Sequence, residues 1–443
     1  MNKILVIGAG RSSTSLINFL LQHAPVANWL VTVGDFTATL AEEKIGNSAY
    51  GRAVHFDIND AAIATEAIEG TDVVISLLPA HLHPVVARYC LDLKKHLLHA
   101  SYVSDEMKDF HEEAVARGLV FLGECGLDPG IDHMSAMQVI DRIKDRGGKL
   151  VSFESFTGGL IAPDTDPANP WRYKFTWNPR NVVLAGQGTA KFLHHGKYKY
   201  IPYQQLFKRF TNITVKGCGE FEGYANRDSL KYLKTYGLDG VDTMLRGTLR
   251  NKGFCSAWNV LVQLGCCDDS YMMEGINAMT HAGFTDAFLS PHPTHTVEEK
   301  LCFTLGISAD GDEMKRLRWS GLFTNERIGL SQGTPAQILE HILTKNWKLN
   351  AGDKDFIVMW HRFRYELNGN SKEITSQLAV TGTDEVNTAM ARTVGLPLAV
   401  AAKLLMQGKI TSRGVLIPVT REFYEPILQD LHGLGIRVEE VEQ

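Results

Sequence analysis

The stretch "KILVIGAGRSS" constrains this chain more than any other. An apolar run ends in Gly8-x-Gly10, and the amphipathic stretch "STSLINFLLQHA" follows at once. Strand, glycine turn and helix in that order make the first half of a βαβ unit. Gly8 permits the tight turn, and Gly10 lets backbone approach a pyrophosphate at the helix N-terminus. The third position of the pattern, usually glycine for close packing, is Ser13, which is nearly as small. The alternation continues with "WLVTVGDF", "DVVISLLP", "HLLHASYV" and "LVFLGEC" as strands, and "DAAIATEAIEG", "PVVARYCLDLKK" and "SDEMKDFHEEAVARG" as helices. Apolar strands alternating with helices require a parallel sheet covered on both faces, so the first part is a doubly wound α/β domain.

From about residue 150 the pattern changes. "KLVSFESFTGGL" reads as a strand, and residues 197–227 mix short strands with turns. Helical stretches dominate from about 228 to 350, for example "TPAQILEHILTKN", where Thr334 caps and Pro335 fills the first turn. Two strands then flank an Asn368-Gly369 turn, a hairpin signal. The closing helix "TAMARTVGLPLAVAAKLLMQG" and the strand in "GIRVEEVE" are able to rejoin the first sheet. The expected organisation is 1–130 with 388–443 as the dinucleotide domain, 131–227 with 353–387 as a mixed α/β substrate domain, and 228–352 as a mostly helical lobe.

Bulk properties exclude several classes. A net charge of −5, with no dense Lys/Arg run, gives no support to a nucleic-acid partner. No apolar run reaches the roughly 18 residues of a membrane span. The first strand begins at once, so a cleaved secretory leader is not expected. Seven irregularly spaced cysteines suit reduced thiols in a cytoplasmic protein.

The cofactor reading extends from the glycine turn, with Arg11 and Ser12 beside Ser13. Asp35 ends the second strand, where a carboxylate accepts hydrogen bonds from ribose hydroxyls and repels a 2′-phosphate; NAD is therefore expected over NADP, which is not excluded. Asp57 and Ile58 end a short strand in "VHFDIND" and flank the adenine in this reading, an ordinary loop being the alternative. Ser76 and Leu78 end the strand "DVVISLLP", and Ala100 ends the next one. Leu127 and Pro129 complete the assigned cofactor residues. His81-x-His83 has the look of a metal pair, but no Cys or carboxylate at ligand spacing completes a set, so no metal is expected.

The segment "GLDPGIDHM" packs two carboxylates, a histidine and a proline between a strand and a helix. It lies where the chain leaves the nucleotide domain, so Asp128 is expected in the inter-domain cleft, with Ser101 and Tyr102 from "ASYVS" facing the same place. His133 is expected to cap or pack at the helix start, and Asp132 to act as an N-terminal helix acid.

At these residues the chain closely resembles the glutamate-forming saccharopine dehydrogenase family. "GAGRSS", "VISLLP", "ASYVS", "GLDPGIDHM", "TGGLIAP", "RYKFTW", "EGYANRDS", "LRGTLRNKGF" and "MARTVGLPLAVAAKLLMQGKI" carry the resemblance in order over nearly the whole length. It implies a Rossmann domain assembled from both chain ends, a pyridine nucleotide, a homodimer, and oxidation of a CH–NH donor in lysine metabolism. Saccharopine joins a lysine and a glutamate skeleton through one secondary amine and carries three carboxylates. Arginine suits planar, bidentate carboxylate recognition. Arg227, Arg246 and Arg250 are candidate clamps, Asn226 and Thr248 add hydrogen bonds, and Lys174 is either a further carboxylate partner or an ordinary solvated lysine. Asp128 and Tyr102 are the candidate catalytic pair. Family members of lysine catabolism use NAD and the fungal biosynthetic ones NADP; Asp35 looks like the NAD type. Thr157 stands where relatives typically have cysteine, so a thiol-dependent step is in doubt here. Two alternatives stay open: a related carboxynorspermidine-type reductase, whose cationic substrate would want acids rather than arginines, and a non-catalytic nucleotide-binding regulator.

Overall fold

A computed structural model describes residues 1–443. The chain begins β1 (Asn2–Ile7), α1 (Thr14–Ala27), β2 (Trp29–Asp35), α2 (Ala38–Ile45), β3 (Gly51–His55), α3 (Ala61–Glu69), β4 (Val73–Ser76), α4 (His83–Asp92), β5 (His96–His99), α5 (Asp105–Asp109), α6 (His111–Ala116), β6 (Val120–Leu122) and α7 (Ile131–Asp145). The middle adds β7 (Lys149–Ile161), α8 (Pro179–Val183), β8 (Ala190–His194), β9 (Lys197–Ile201), α9 (Tyr203–Leu206), β10 (Phe210–Val215), β11 (Gly219–Ala225), β12 (Thr243–Asn251), α10 (Phe254–Leu264), α11 (His281–Asp286), α12 (Val297–Leu305), α13 (Asp312–Trp319) and α14 (Pro335–Trp347). It closes with β13 (Asp355–Leu367), β14 (Asn370–Thr381), α15 (Ala389–Met406), β15 (Gly414–Leu416), α16 (Arg421–Gly433) and β16 (Val438–Glu442). Two compact units result: Met1–Lys149 with Val386–Glu439, and Leu150–Glu385 with Glu440–Gln443.

The first unit holds a parallel sheet in the order β15-β6-β5-β4-β1-β2-β3. Chain order reverses between β1 and β4, the place where open α/β sheets take their ligands. Ile4 to Ile7 and Val73 to Ser76 are buried, as strands covered on both faces demand. Helices α1 and α15 pack together. At Gly395 of α15 a Cβ would come within 3.0 Å of Leu16 N in α1 and 3.2 Å of Ser12 O just before it, so the glycine permits a close approach. The expected single helix over 104–118 is two, broken at Phe110, although Ser104 caps the first turn through Met107 N as its sequence position suggests.

The second unit is built on a mixed sheet, β10-β11-β12-β7-β13-β14-β16, with β8 and β9 branching from β12. Asn368 and Gly369 both take positive φ, 52° and 76°, and close the β13–β14 hairpin where the sequence placed it. Helices α10 and α14 share one core with the sheet: Phe156, Tyr173 and Val358 belong to the same buried cluster as Trp258 and Trp347.

Several boundaries differ from the sequence reading. α7 belongs with the first unit, so the division falls at 149/150 and not near 130. The segment 228–352 is not wholly helical, because "RGTLR" lies on β12, in the middle of the second sheet. The strand of "GIRVEEVE" does not rejoin the first sheet; β16 lies beside β14, and the much shorter β15 completes the first sheet next to β6. α15 has 18 residues and the hydropathy of a span, contrary to expectation, but it is 78% buried inside the protein, as a core helix is.

Candidate active site

In the first unit the glycine turn is shaped as the sequence requires. Gly8 takes φ +104°, and a Cβ on it would sit 3.3 Å from Leu77. Gly10 has open space where a Cβ would point, room that a pyrophosphate can use. Ser13 is fully buried and its hydroxyl donates to Gly10 O at 2.8 Å, so the serine packs as tightly as the usual glycine while holding the turn. Asp35 Oδ2 accepts from Ala9 N at 2.7 Å and Oδ1 from Thr37 N at 2.9 Å, tying the turn to the end of β2. These residues fit a dinucleotide: an open helix start, a backbone free to approach, and a fixed acid at the ribose position. Leu78 and Ile58 pack on the hydrophobic core between sheet and helices; Ile58 is only 6% exposed. Asp57 folds back to accept from Asn59 N at 2.9 Å, an Asx turn that keeps this loop compact.

The "GLDPG" segment closes on itself. Gly126 N donates to Pro129 O at 3.0 Å, and Ile131 N to Gly126 O at 2.8 Å. Gly130 takes φ +148°, and a Cβ there would lie 2.0 Å from Gly126 O, so no other residue fits. Leu127 and Pro129 are buried in this knot and Asp128 is left partly exposed. Tyr102 OH donates to Asp128 Oδ1 at 3.0 Å, which brings the two expected catalytic residues together. Asp132 Oδ1 accepts from Gly130 N at 2.6 Å, the N-terminal role expected of it.

Glu124, which sequence reasoning missed, holds this loop to the one before it. Glu124 N donates to Ser101 O at 3.1 Å, Oε1 accepts from Val103 N at 2.9 Å, and Oε2 lies 2.8 Å from His133 Nε2. His133 is therefore a buried structural partner, not a cap. The only sequence hint was an acid inside an apolar strand. Ala100 sits against Gly126, where a Cβ would come within 2.9 Å.

In the second unit "NRDS" and "RGTLR" are brought together. Asn226 N donates to Arg246 O at 2.9 Å, and Arg246 N to Ser229 Oγ at 2.9 Å. The Arg246 guanidinium lies 4.6 Å over the Tyr232 ring. Thr248 pairs in register with Tyr224 on one side and Thr157 on the other. The buried Thr157 hydroxyl has no hydrogen-bond partner. Arg227 is exposed, at φ 49°.

Arg250 is 5% exposed, ringed by Tyr173, Phe254 and Tyr224 at 5.0, 5.2 and 6.0 Å. Glu222, opposite it in the ladder, spends both oxygens on the α10 N-terminus: Gly253 N at 2.6 Å and Cys255 N at 2.8 Å. The guanidinium donates only to Leu249 O, and its Nε has no partner. A buried, permanently charged group without a carboxylate of its own chain is poised for a ligand anion. Lys174 is not: burial opposes its charge, but Asp353 at 2.7 Å and Asp166 at 2.9 Å outweigh this and hold it protonated as an internal clip. Lys174 is thus neither the substrate partner nor the solvated lysine that the sequence left open.

A doubly wound sheet with a glycine turn, a ribose-position acid and an acid–phenol pair at its carboxyl edge defines a pyridine-nucleotide-binding protein of the oxidoreductase type. Residues 4–122 match the model of the saccharopine dehydrogenase NADP binding domain, and 126–436 that of the saccharopine dehydrogenase C-terminal domain. The chain belongs to the saccharopine dehydrogenase family. It is 31% identical to the saccharopine dehydrogenase [NADP(+), L-glutamate-forming] of Schizosaccharomyces pombe, covering 99% of both chains. It is 34% identical to the mitochondrial alpha-aminoadipic semialdehyde synthase of Rattus norvegicus, over 98% of this chain and 47% of that one. The chain thus spans about half the length of such mammalian relatives. The apo structure of saccharopine dehydrogenase (L-Glu forming) from Saccharomyces cerevisiae superposes with a TM-score of 0.89 at 30% identity, covering 100% of both chains.

Proposed function

We propose that this protein catalyses the reversible oxidation of saccharopine to L-glutamate and 2-aminoadipate 6-semialdehyde. The observation that carries the reading beyond the family is Arg250, a buried cation left without a counter-ion; with Arg246, it favours a substrate rich in carboxylates. A polyamine-type substrate would find no use for it. The bound nicotinamide supplies the hydride acceptor. Asp128, oriented by the Tyr102 hydroxyl, takes the proton of the secondary amine and passes it to solvent; it then takes a proton from the water adding to the imine and returns it to the departing glutamate nitrogen. A positioned acid–base group of this kind contributes about 10²–10⁴-fold. Arg246 and Arg250 hold carboxylates, Asn226 and Thr248 adding hydrogen bonds and Arg227 a more exposed charge.

NAD is the proposed preferred cofactor. The fungal relatives are named for NADP(+), but here Asp35 places a fixed negative charge at the end of β2, where a 2′-phosphate would be repelled. A homodimer and a cytoplasmic location belong to the same proposal. The deciding experiment is steady-state turnover of saccharopine with NAD and with NADP, with glutamate identified as product. Glutamate with NAD preferred supports both parts, and an NADP preference removes the Asp35 argument alone. No turnover, despite dinucleotide binding, moves the reading to the polyamine-type reductase and then to the regulator.

A further inference from the structure

Two buried histidines beneath the carboxyl edge of the first sheet have no part in the site described so far. His83 opens α4 at 1% exposure, and its ring stacks on that of His99, the last residue of β5, with centroids 4.3 Å apart and planes 16° apart. Its nitrogens reach two serines at the carboxyl ends of adjacent parallel strands, Ser76 within β4 and Ser101 two residues past β5. Nδ1 lies 3.1 Å from Ser76 Oγ at the end of β4, and Nε2 lies 2.9 Å from Ser101 Oγ, the residue before Tyr102. His81, the other half of the His-x-His pair, is exposed.

Burial, with a smaller contribution from His81, lowers the His83 pKa to about 4, so at neutral pH the ring is uncharged and has one N–H and one lone pair. One serine must then donate to the ring and the other accept from it. Ser76 decides which. It is 1% exposed, and the ring is the one acceptor within reach of its hydroxyl proton. A buried donor left unmade is costly, so Ser76 O–H donates to Nδ1. The ring proton is then on Nε2 and goes to Ser101 Oγ. That leaves the Ser101 O–H, on a partly exposed residue, pointing away from the ring with no acceptor inside the protein.

We propose that His83 is a positioning residue: with Ser76 it sets the polarity of the Ser101 hydroxyl, so that Ser101 offers a hydrogen-bond donor to an oxygen of the bound ligand beside Tyr102 and Asp128. The acceptor is a carboxylate of the substrate or the carboxamide of the nicotinamide. The kinetic part rests on the saccharopine reading; the spectroscopic part does not.

Two variants separate orientation from packing. His83→Gln keeps an amide near the Nε2 position, facing Ser101, and His83→Asn keeps one near Nδ1, facing Ser76; both lose the stack on His99. Expected are a roughly tenfold fall in kcat/KM for Ser101→Ala and for His83→Asn, recovery of most of it in His83→Gln, and a double variant His83→Asn/Ser101→Ala no worse than Ser101→Ala alone. A rise confined to the KM for saccharopine assigns the acceptor to the substrate. A loss confined to dinucleotide affinity, read by fluorescence titration with NADH and NADPH, assigns it to the carboxamide. Equal losses in the two His83 variants, or multiplicative losses in the double variant, overturn the proposal. Independently of any substrate, nitrogen-15 spectra of histidine-labelled protein, with the His83 signal identified by its absence in His83→Asn, should show the Nε2–H tautomer. The Nδ1–H tautomer overturns the proposal even if saccharopine is turned over.

Discussion

Asp128 owes its position to neighbours that do no chemistry: two glycines and a proline fold the loop, and Glu124 pins it to the loop that carries Tyr102. Asp128→Asn should keep the loop and lose the proton acceptor. Its kcat should fall about 10²-fold or more while dinucleotide affinity holds, and an unchanged kcat would remove Asp128 from the mechanism. Arg250→Met retains the volume within the aromatic ring and removes the charge. A charge-assisted hydrogen bond contributes about 1.5–3 kcal/mol, so the KM for saccharopine should rise roughly 10- to 100-fold, with the KM for the dinucleotide unmoved. Glu422 supports a pH prediction. Burial alone would raise its carboxyl pKa from 4.5, but hydrogen bonds from Thr411 and Ser412 outweigh this and hold it at about 2. Its contribution is full above about 4.5 and fades as pH falls toward 2. The stability gap between the protein and Glu422→Gln should therefore narrow on acidification in urea melts, and a gap that widens would reverse the sign of this argument. At this scale the sequence made the glycine turn, Asp35, Tyr102 and Asp128 legible, because each ends a strand or sits in a turn. Glu124, His83, His99 and the demotion of Lys174 were not legible. Their roles depend on which strands lie side by side, and a buried polar group shows its partner only in three dimensions.

Among the elements, α15 does the most for the first unit. Gly395 lets it lie on the backbone of α1 just behind the glycine turn, so a larger side chain there must push the helices apart. Gly395→Val should cost about 1–3 kcal/mol, seen as a lowered Tm, and should weaken dinucleotide binding as Ser12 shifts. Normal binding with a lowered Tm would confine the contact to stability. In the second unit, Trp347 at the end of α14 meets Trp171, Tyr173 and Phe175 with centroids 5.1–5.2 Å away. Trp347→Ala should cost about 3–5 kcal/mol in denaturant unfolding. Long elements with regular periodicity, such as the β13–β14 hairpin, α14 and α15, were readable from sequence. β12 was not, because its glycine and five polar side chains break the alternation, and helical stretches later in the same segment dominate the local pattern. The strand that completes the first sheet was misplaced for a related reason: β15 is three residues long, and the more strand-like "RVEEVE" pairs elsewhere.

At the scale of the whole molecule, the chain passes from one unit to the other at 149/150, 385/386 and 439/440. A protein ending at Glu385 would keep every glycine of the nucleotide turn and yet leave the buried face of α1 without α15. It should bind no dinucleotide and unfold without a cooperative transition, whereas tight binding by such a fragment would show the first unit complete without its returning segment. The same interleaving sets a timetable for synthesis. Domains fold as units as they leave the ribosome, at about 5–20 residues per second. Here the sheet that begins at residue 2 must wait, with the apolar side of its first helix uncovered, while all of Leu150–Glu385 is translated, on the order of ten to fifty seconds at that speed. The newborn chain therefore depends on whatever shields that surface during the interval, and codons that slow translation between 150 and 385 should lower the yield of folded protein more than the same codons placed before residue 150.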